Sequence, residues 1–246
     1  MTAAASTTNC QLYMIVEAIA GEATSARLEA ALNAADIASL LLIPPAADGA
    51  INAFPQQDRN ASGVQSAARY ADQMRPLVML AQSHDTAVLV PDDIELMKTL
   101  GCDGVHITHS KDGAAPVAAM RSAREVLLDN FIAGGEAGTS RDGAMQLGEA
   151  GADYVGFALA EAGVERDGAR ADQLQRIAWW ADIFEVPCVA FDVETPEQAA
   201  ALTQAGADFI AFRLAANAPP ADVEDYIESV AKAAGLKPGR IKTRPD

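Results

Sequence analysis

The sequence predicts a single-domain α/β protein, a (β/α)8 barrel of the TIM type. Apolar strand segments alternate with helical patterns, eight such strands can be placed, and a length of 246 residues suits one barrel. A Gly-x-Asp phrase followed by an apolar run begins at Gly101, Gly151 and Gly206, and a fainter copy around Asp36 lacks the glycine. A doubly wound open sheet is the alternative, and the lack of Gly-x-Gly-x-x-Gly after the first strand counts against it.

Each Gly-x-Asp phrase predicts the end of a helix and the start of a strand. Glycine tolerates the left-handed conformation that follows a last helical turn. The apolar run has no polar face, which is typical of parallel strands covered by helices. The predicted strands are Gln11–Glu17, Ala38–Ile43, Thr86–Val90, Asp103–Ile107, Asn130–Gly134, Asp153–Ala158, Pro187–Phe191 and Asp208–Arg213.

Helical patterns fill most of the intervals between these strands. The helix after the seventh strand has Thr195 as N-cap and Pro196 at its first position. The segment Pro44–Ser66 is long for a strand-to-helix connection and is interpreted either as a lid or as a surface insertion. The predicted helices are Ser25–Ala34, Ile94–Leu100, Arg141–Ala150, Gln173–Phe184, Pro196–Ala205 and Val223–Ala234.

Composition and charge restrict the class of protein. A hydrophobic fraction of 50% supports a sizeable core, and a net charge of −16 argues against nucleic-acid binding. No apolar run is long enough to span a membrane, the N-terminus does not resemble a signal peptide, and the three cysteines form no disulfide or zinc pattern, so we expect a cytoplasmic protein. Assembly into a homo-oligomer is left open. We expect a flexible N-terminus at 1–10, the barrel at 11–235 and a basic tail at 236–246.

Candidate functional residues stand at the carboxyl ends of the strands, where barrels carry their chemistry. Carboxylates are in excess there, and Asp92, Asp192 and Glu194 would repel one another unless a metal, a cationic ligand or raised pKa values relieved them. The alternative is that such residues cap helices, as Asp93 does in this interpretation. Glu136 is expected just after the fifth strand.

Two of the three histidines belong to the fourth strand. His106 lies inside an apolar alternation and therefore points either into the barrel or into the helix layer. His109 lies just past the strand, where it is a candidate for acid–base catalysis, with a structural polar role as the alternative.

Five phrases occur in the order and spacing of a known family. The chain resembles thiamine phosphate synthase over roughly residues 12–215, and the likeness extends to the related thiazole tautomerases. The family is a (β/α)8 barrel that joins an aminopyrimidine diphosphate to a thiazole phosphate and displaces pyrophosphate with the help of Mg²⁺. The phrases are Leu12-Tyr-Met-Ile-Val16, Val88-Leu-Val-Pro-Asp92, Cys102-Asp-Gly-Val-His106, Gly151-Ala-Asp-Tyr-Val155 and Gly206-Ala-Asp-Phe-Ile210.

The resemblance implies a set of site residues in this chain. Asp92 matches an aspartate that binds Mg²⁺, and Asp112 stands one residue beyond the second metal aspartate. His109 takes the place of a glutamine. Thr139 and Ser140 are close to the position of a phosphate-binding serine. With Glu136 and Arg213, these residues form the predicted site for a small-molecule substrate of the pyrimidine or thiazole type.

The chain departs from the family where phosphate is bound. No Gln, Arg or Lys occurs in 40–49 after the second strand, and the Thr-x-Thr-Lys expected after the sixth strand is missing from 157–168. A pair of glycines is replaced by Asp192-Val-Glu194, which leaves Arg213 as the only well-placed cation. Diphosphate binding needs cations and backbone N–H groups, so these departures predict a degenerate site in which synthase turnover is doubtful.

Three functional hypotheses follow from these observations. The first is an enzyme of the thiamine phosphate synthase family, active on that substrate pair or a closely related one. The second is a related barrel that has lost the synthase chemistry and binds another small ligand or a protein partner. The third is a different metal-dependent barrel enzyme that uses Asp92, Asp192 and Glu194 around a divalent ion.

Overall fold

The fold is a closed parallel barrel surrounded by helices. The computed structural model describes residues 10–19, 21–44, 63–109, 115–160 and 165–236. In these residues eight strands alternate with eight helices, and the strands pair in chain order until β8 closes on β1. The predicted (β/α)8 fold is confirmed. None of the helices in this part of the chain is long and apolar enough to cross a membrane.

The strands are short and the helices pack outside them. The strands are β1 Gln11–Glu17, β2 Ile37–Ile43, β3 Ala87–Pro91, β4 Gly104–Ile107, β5 Ile132–Gly138, β6 Tyr154–Phe157, β7 Cys188–Ala190 and β8 Phe209–Arg213. The helices are α1 Glu22–Ala34, α2 Gly63–Gln82, α3 Ile94–Leu100, α4 Val117–Val126, α5 Arg141–Glu149, α6 Arg166–Ile183, α7 Pro196–Gln204 and α8 Pro220–Ala233.

The largest differences from the sequence prediction are two helices that it missed, the start of α6 at Arg166 instead of Gln173, and the end of β5. Helices α2 and α4 were not predicted; α2 carries Pro76 in its interior, which weakens a helical pattern. Helix α2 begins at Gly63, inside the predicted loop Pro44–Ser66, and 45–62 lies outside the described residues. The predicted fifth strand ended at Gly134, whereas β5 continues to Gly138.

The side chains of the strands form two separate layers of core. Alternate residues point outward and pack under the helices, while the others fill the barrel, among them Tyr13, Tyr154 and Phe191. Glycine is required where two of these rings lie, because a Cβ on Gly134 would stand 1.8 Å from the Tyr154 ring and one on Gly156 would stand 2.4 Å from Phe191. The interior is therefore filled by aromatic and aliphatic side chains rather than left as a channel.

The repeated Gly-x-Asp phrase joins neighbouring strands at the amino-terminal end of the barrel. Its three glycines have positive φ angles of 72°, 91° and 101°, as expected after a helix. Each aspartate accepts a hydrogen bond from a backbone N–H of the preceding strand. Asp103 accepts from Val88 at 2.8 Å, Asp153 from Ala133 at 2.7 Å and Asp208 from Cys188 at 2.8 Å. The phrase therefore fixes the strand pairs β3–β4, β5–β6 and β7–β8.

We expect these contacts to contribute measurably to stability. Asp103→Ala should lower the free energy of unfolding by about 1–2 kcal/mol, because the N–H of Val88 loses a charged acceptor. Asp103→Asn keeps an oxygen acceptor and should cost clearly less. Denaturant unfolding measures both, with Asp36→Ala as the control, since Asp36 belongs to the copy without glycine and is exposed. Equal losses in Asp103→Ala and Asp36→Ala would contradict this role.

Candidate functional site

A buried carboxylate and a histidine meet at the mouth of the barrel. Glu136 points inward from β5, on the same face as Gly134, and is only 1% exposed. His109 lies two residues beyond the end of β4, and its Nδ1 is 2.9 Å from Oε2 of Glu136. The side chain of His109 is 19% exposed, so a ligand can reach it. The structure thus brings together two of the predicted site residues.

His106 lies beneath this pair inside the barrel. Of the two orientations left open by the sequence, the structure shows the inward one, with the ring stacked on Tyr154 at 5.8 Å and fully buried. Its Nε2 is 4.0 Å from Oε2 of Glu136. Burial lowers the pKa of His106, although the negative charges of Glu136 and Asp92 act in the opposite direction. His106 is therefore neutral at physiological pH.

Asp92 links the ends of two neighbouring strands. It follows β3 in the left-handed conformation, with φ of 54°, which aspartate adopts more readily than most residues. One carboxylate oxygen accepts a hydrogen bond from the backbone N–H of Thr108 at 3.0 Å, and the other accepts from the Thr108 hydroxyl. Asp92 therefore has a structural role beside the site. The second predicted metal ligand, Asp112, lies outside the described residues.

The other predicted binding residues lie around the rim and do not contact the central pair in the described interactions. Ser140 caps α5 by accepting a hydrogen bond from the N–H of Gly143 at 2.9 Å, which is a structural role. Thr139 is exposed directly after β5. Arg213 ends β8 and is also exposed, so it can meet a ligand at the mouth.

Besides Arg213, two further arginines lie at this face of the barrel. Arg166 and Arg170, on the first turns of α6, both form ion pairs with Glu194, the latter at 2.8 Å. Sequence reasoning missed them because the predicted helix began only at Gln173. The carboxylate Glu194 is thus neutralised by two arginines of the same protein.

The third functional hypothesis does not fit this geometry. Asp192 accepts a hydrogen bond from the N–H of Leu159 at 3.0 Å, Glu194 is held by arginines, and Asp92 is held by Thr108. In the described residues no group of three or more His, Cys, Asp or Glu side chains could hold a metal ion. Loss of contact with water raises the pKa of Asp192, and its repulsion from Glu136 acts in the same direction.

Comparison with known protein families identifies the scaffold. The family model described as thiamine monophosphate synthase matches residues 12–216. The chain belongs to this family. It is 39% identical to a thiamine-phosphate synthase of Erythrobacter litoralis over 171 residues. This alignment covers 68% of this chain and 76% of the relative. It is 36% identical over 207 residues to one of Rhodospirillum centenum, covering 83% and 87%.

Solved structures share the fold of this family member. A thiamine phosphate pyrophosphorylase from Pyrococcus furiosus superimposes with a TM-score of 0.63 at 19% identity, covering 93% of this chain and 96% of that one. A tryptophan synthase from Mycobacterium tuberculosis gives 0.65 at 14% identity, covering 94% and 95%. At these identities the likeness concerns the barrel alone. The family membership therefore rests on the sequence matches.

The buried neutral His106 predicts a loss of stability in acid. Its folded pKa is depressed, so below about pH 6.5 the unfolded chain binds a proton that the folded protein does not. The free energy of unfolding should then fall with decreasing pH, by up to about 1.4 kcal/mol per pH unit for this group. Urea unfolding of the wild type and His106→Gln between about pH 7.5 and 5.5 measures it. The variant should show a shallower slope, and an unchanged slope would contradict the assignment.

Proposed function

We propose that this barrel acts in thiamine biosynthesis as a slow thiamine phosphate synthase-like enzyme on a pyrimidine and thiazole substrate pair. The observation that supports it is the contact of 2.9 Å between His109 and the buried Glu136 at the mouth of a barrel of this family. A carboxylate that contacts one ring nitrogen orients an imidazole and stabilises its protonated form. The pair is therefore suited to charge stabilisation and to proton transfer at a small heteroaromatic ligand.

The proposed role of Glu136 follows from the charge that the coupling reaction develops. When the C–O bond to the departing pyrophosphate breaks, the carbon of the pyrimidine substrate that carried the diphosphate becomes electron-poor. The thiazole nitrogen forms the new C–N bond with this carbon. The positive charge is shared with the amino group of the ring. A carboxylate in a site shielded from water stabilises such a charge more strongly than one in water. Glu136 is 1% exposed and so meets this condition.

The shortage of available cations at the mouth of the barrel is the reason why we propose slow turnover. Departing pyrophosphate is stabilised by cations and N–H donors, yet Arg166 and Arg170 already pair with Glu194. Arg213 remains for the ligand, and its positive charge also offsets part of the rise that burial causes in the pKa of Asp192. Each missing donor to a developing anion typically costs about 100-fold or more in rate.

Magnesium is the cofactor that the family resemblance implies, with Asp92 and Asp112 as ligands. Both oxygens of Asp92 accept hydrogen bonds from Thr108, and the described residues contain no cluster that could hold a metal. The described residues therefore do not form a Mg²⁺ site by themselves, and we assign no step to the ion. In the proposed assays Mg²⁺ is supplied and omitted in parallel.

Purified protein incubated with aminopyrimidine diphosphate and thiazole phosphate should form thiamine phosphate above background. The rate should be at least about tenfold below that of the Rhodospirillum centenum relative assayed alongside. Glu136→Gln should lower the rate by about 100-fold, because it removes the buried negative charge. Product analysis by chromatography measures both.

The matched control for this experiment is Glu95→Gln. Glu95 is an exposed glutamate on α3 that pairs with Lys98, so its substitution should leave the rate unchanged. Absence of product in the wild type would overturn the proposed activity and favour a barrel that has lost the synthase chemistry. Equal rates in Glu136→Gln and wild type would remove Glu136 from the mechanism.

A further inference from the structure

A column of three buried polar side chains stands directly below the proposed catalytic pair. The hydroxyl oxygens of Tyr13 and Tyr154 are 2.9 Å apart, and the hydroxyl of Tyr154 is 2.8 Å from Nδ1 of His106. Tyr13 is 1% exposed, Tyr154 is 6% exposed and His106 is completely buried. The column therefore crosses the barrel from β1 through β6 to β4 without contact with bulk water.

The barrel is shaped to accommodate this column. The ring of Tyr154 occupies the space over Gly134, where a Cβ would lie only 1.8 Å away. The rings of Tyr13 and Tyr154 meet edge to face at 5.9 Å, and Tyr13 also meets Phe191 in the same manner at 5.6 Å. Such packing leaves the two hydroxyl groups little freedom to choose other partners. The hydrogen bonds of the column are thus imposed by the fold.

Only one donor-to-acceptor order of the hydrogen bonds in the column places a proton of His106 toward the Glu136 carboxylate. Burial raises the pKa of both phenols, and the hydroxyl groups keep their protons. A neutral imidazole has one N–H and one acceptor nitrogen. If the proton is on Nε2 of His106, it faces the Glu136 carboxylate 4.0 Å away, and Nδ1 accepts from Tyr154. The opposite tautomer would direct a lone pair at a carboxylate, which is repulsive.

We propose that Tyr154 and, through it, Tyr13 are positioning residues that fix His106 in the tautomer with its proton on Nε2. In this tautomer the His106 N–H attracts the Glu136 carboxylate from below, while His109 contacts it from the side. The column holds Glu136 in the orientation that the reaction uses. The catalytic consequence rests on the proposed function, whereas the tautomer is a property of the ligand-free protein.

Nitrogen-15 NMR of the histidine rings tests the tautomer without any substrate. In the wild type we expect His106 to show a protonated Nε2 and an unprotonated Nδ1 that accepts a hydrogen bond. Tyr154→Phe removes the donor, so the Nδ1 resonance should move to the position of an acceptor without a partner, or the ring should become a mixture of tautomers. Tyr13→Phe, which acts through one additional hydrogen bond, should shift the Nδ1 resonance of His106 in the same direction by a smaller amount.

The control is Tyr226→Phe, which removes a phenol that donates to the backbone oxygen of Glu194 on the rim. It should leave the His106 resonances unchanged. Thermal unfolding establishes that each variant is folded, and Tyr13→Phe keeps the test available if Tyr154→Phe does not fold. A proton on Nδ1 of His106 in the wild type, or unchanged His106 resonances in the folded column variants, would overturn the proposal.

Kinetics separates this proposal from the proposed function. At metal sites, mutation of a residue that hydrogen-bonds to a metal ligand typically lowers metal affinity or activity about 10- to 100-fold. For a residue that hydrogen-bonds to His106 we expect a loss at the lower end of this range. The kcat of Tyr154→Phe should fall about tenfold, with KM almost unchanged. If the tautomer is as stated but no thiamine phosphate forms in any variant, the proposed function alone is wrong. If turnover occurs and kcat is insensitive to Tyr154→Phe, the positioning role is wrong.

Discussion

The site depends on keeping one negative charge inside the barrel. Glu136 is almost completely removed from water, and an ionised carboxylate in such a place is costly unless charged or polar groups surround it. His109 contacts it from the mouth of the barrel, and His106 lies below it, held by Tyr154 of β6. The glycines of β5 and β6 are part of the same arrangement, because they leave the space that Tyr154 and Phe191 fill.

The architecture was predictable because the chain repeats the same short motif at several of its helix-to-strand junctions. The Gly-x-Asp phrases indicated where helices end and strands begin, and seven of the eight strands begin within one residue of the predicted position. The structure adds why aspartate occupies the third position of the phrase, since its carboxylate accepts a backbone N–H of the neighbouring strand. That contact joins residues far apart in sequence, so no local pattern could indicate it. Helix α2 was missed because Pro76 interrupts its pattern.

Two members of the site were predictable from the sequence, but its geometry was not. His109 and Glu136 were both chosen from their places near strand ends. However, the run Gly134-Gly-Glu-Ala-Gly138 is typical of a turn, and the structure shows it as the second half of β5. Pairing with β4 and β6 overrides the weak strand propensity of glycine there. Tyr13 and Tyr154 were not singled out, although a strand glycine beside an aromatic residue of the next strand is a usable signal. The rim arginines depended on where α6 begins, and helix boundaries are the least certain feature of a sequence pattern.

In the proposed reaction Glu136, supported by the two histidines, receives the ring of the substrate. A crystal structure of the protein with an aminopyrimidine diphosphate bound tests it most directly. We expect the amino group of the ring to lie within hydrogen-bond distance of the Glu136 carboxylate, with His109 at the edge of the ring and Arg213 toward the phosphates. A ligand bound away from the mouth, or one bound there with no contact to Glu136, would contradict it.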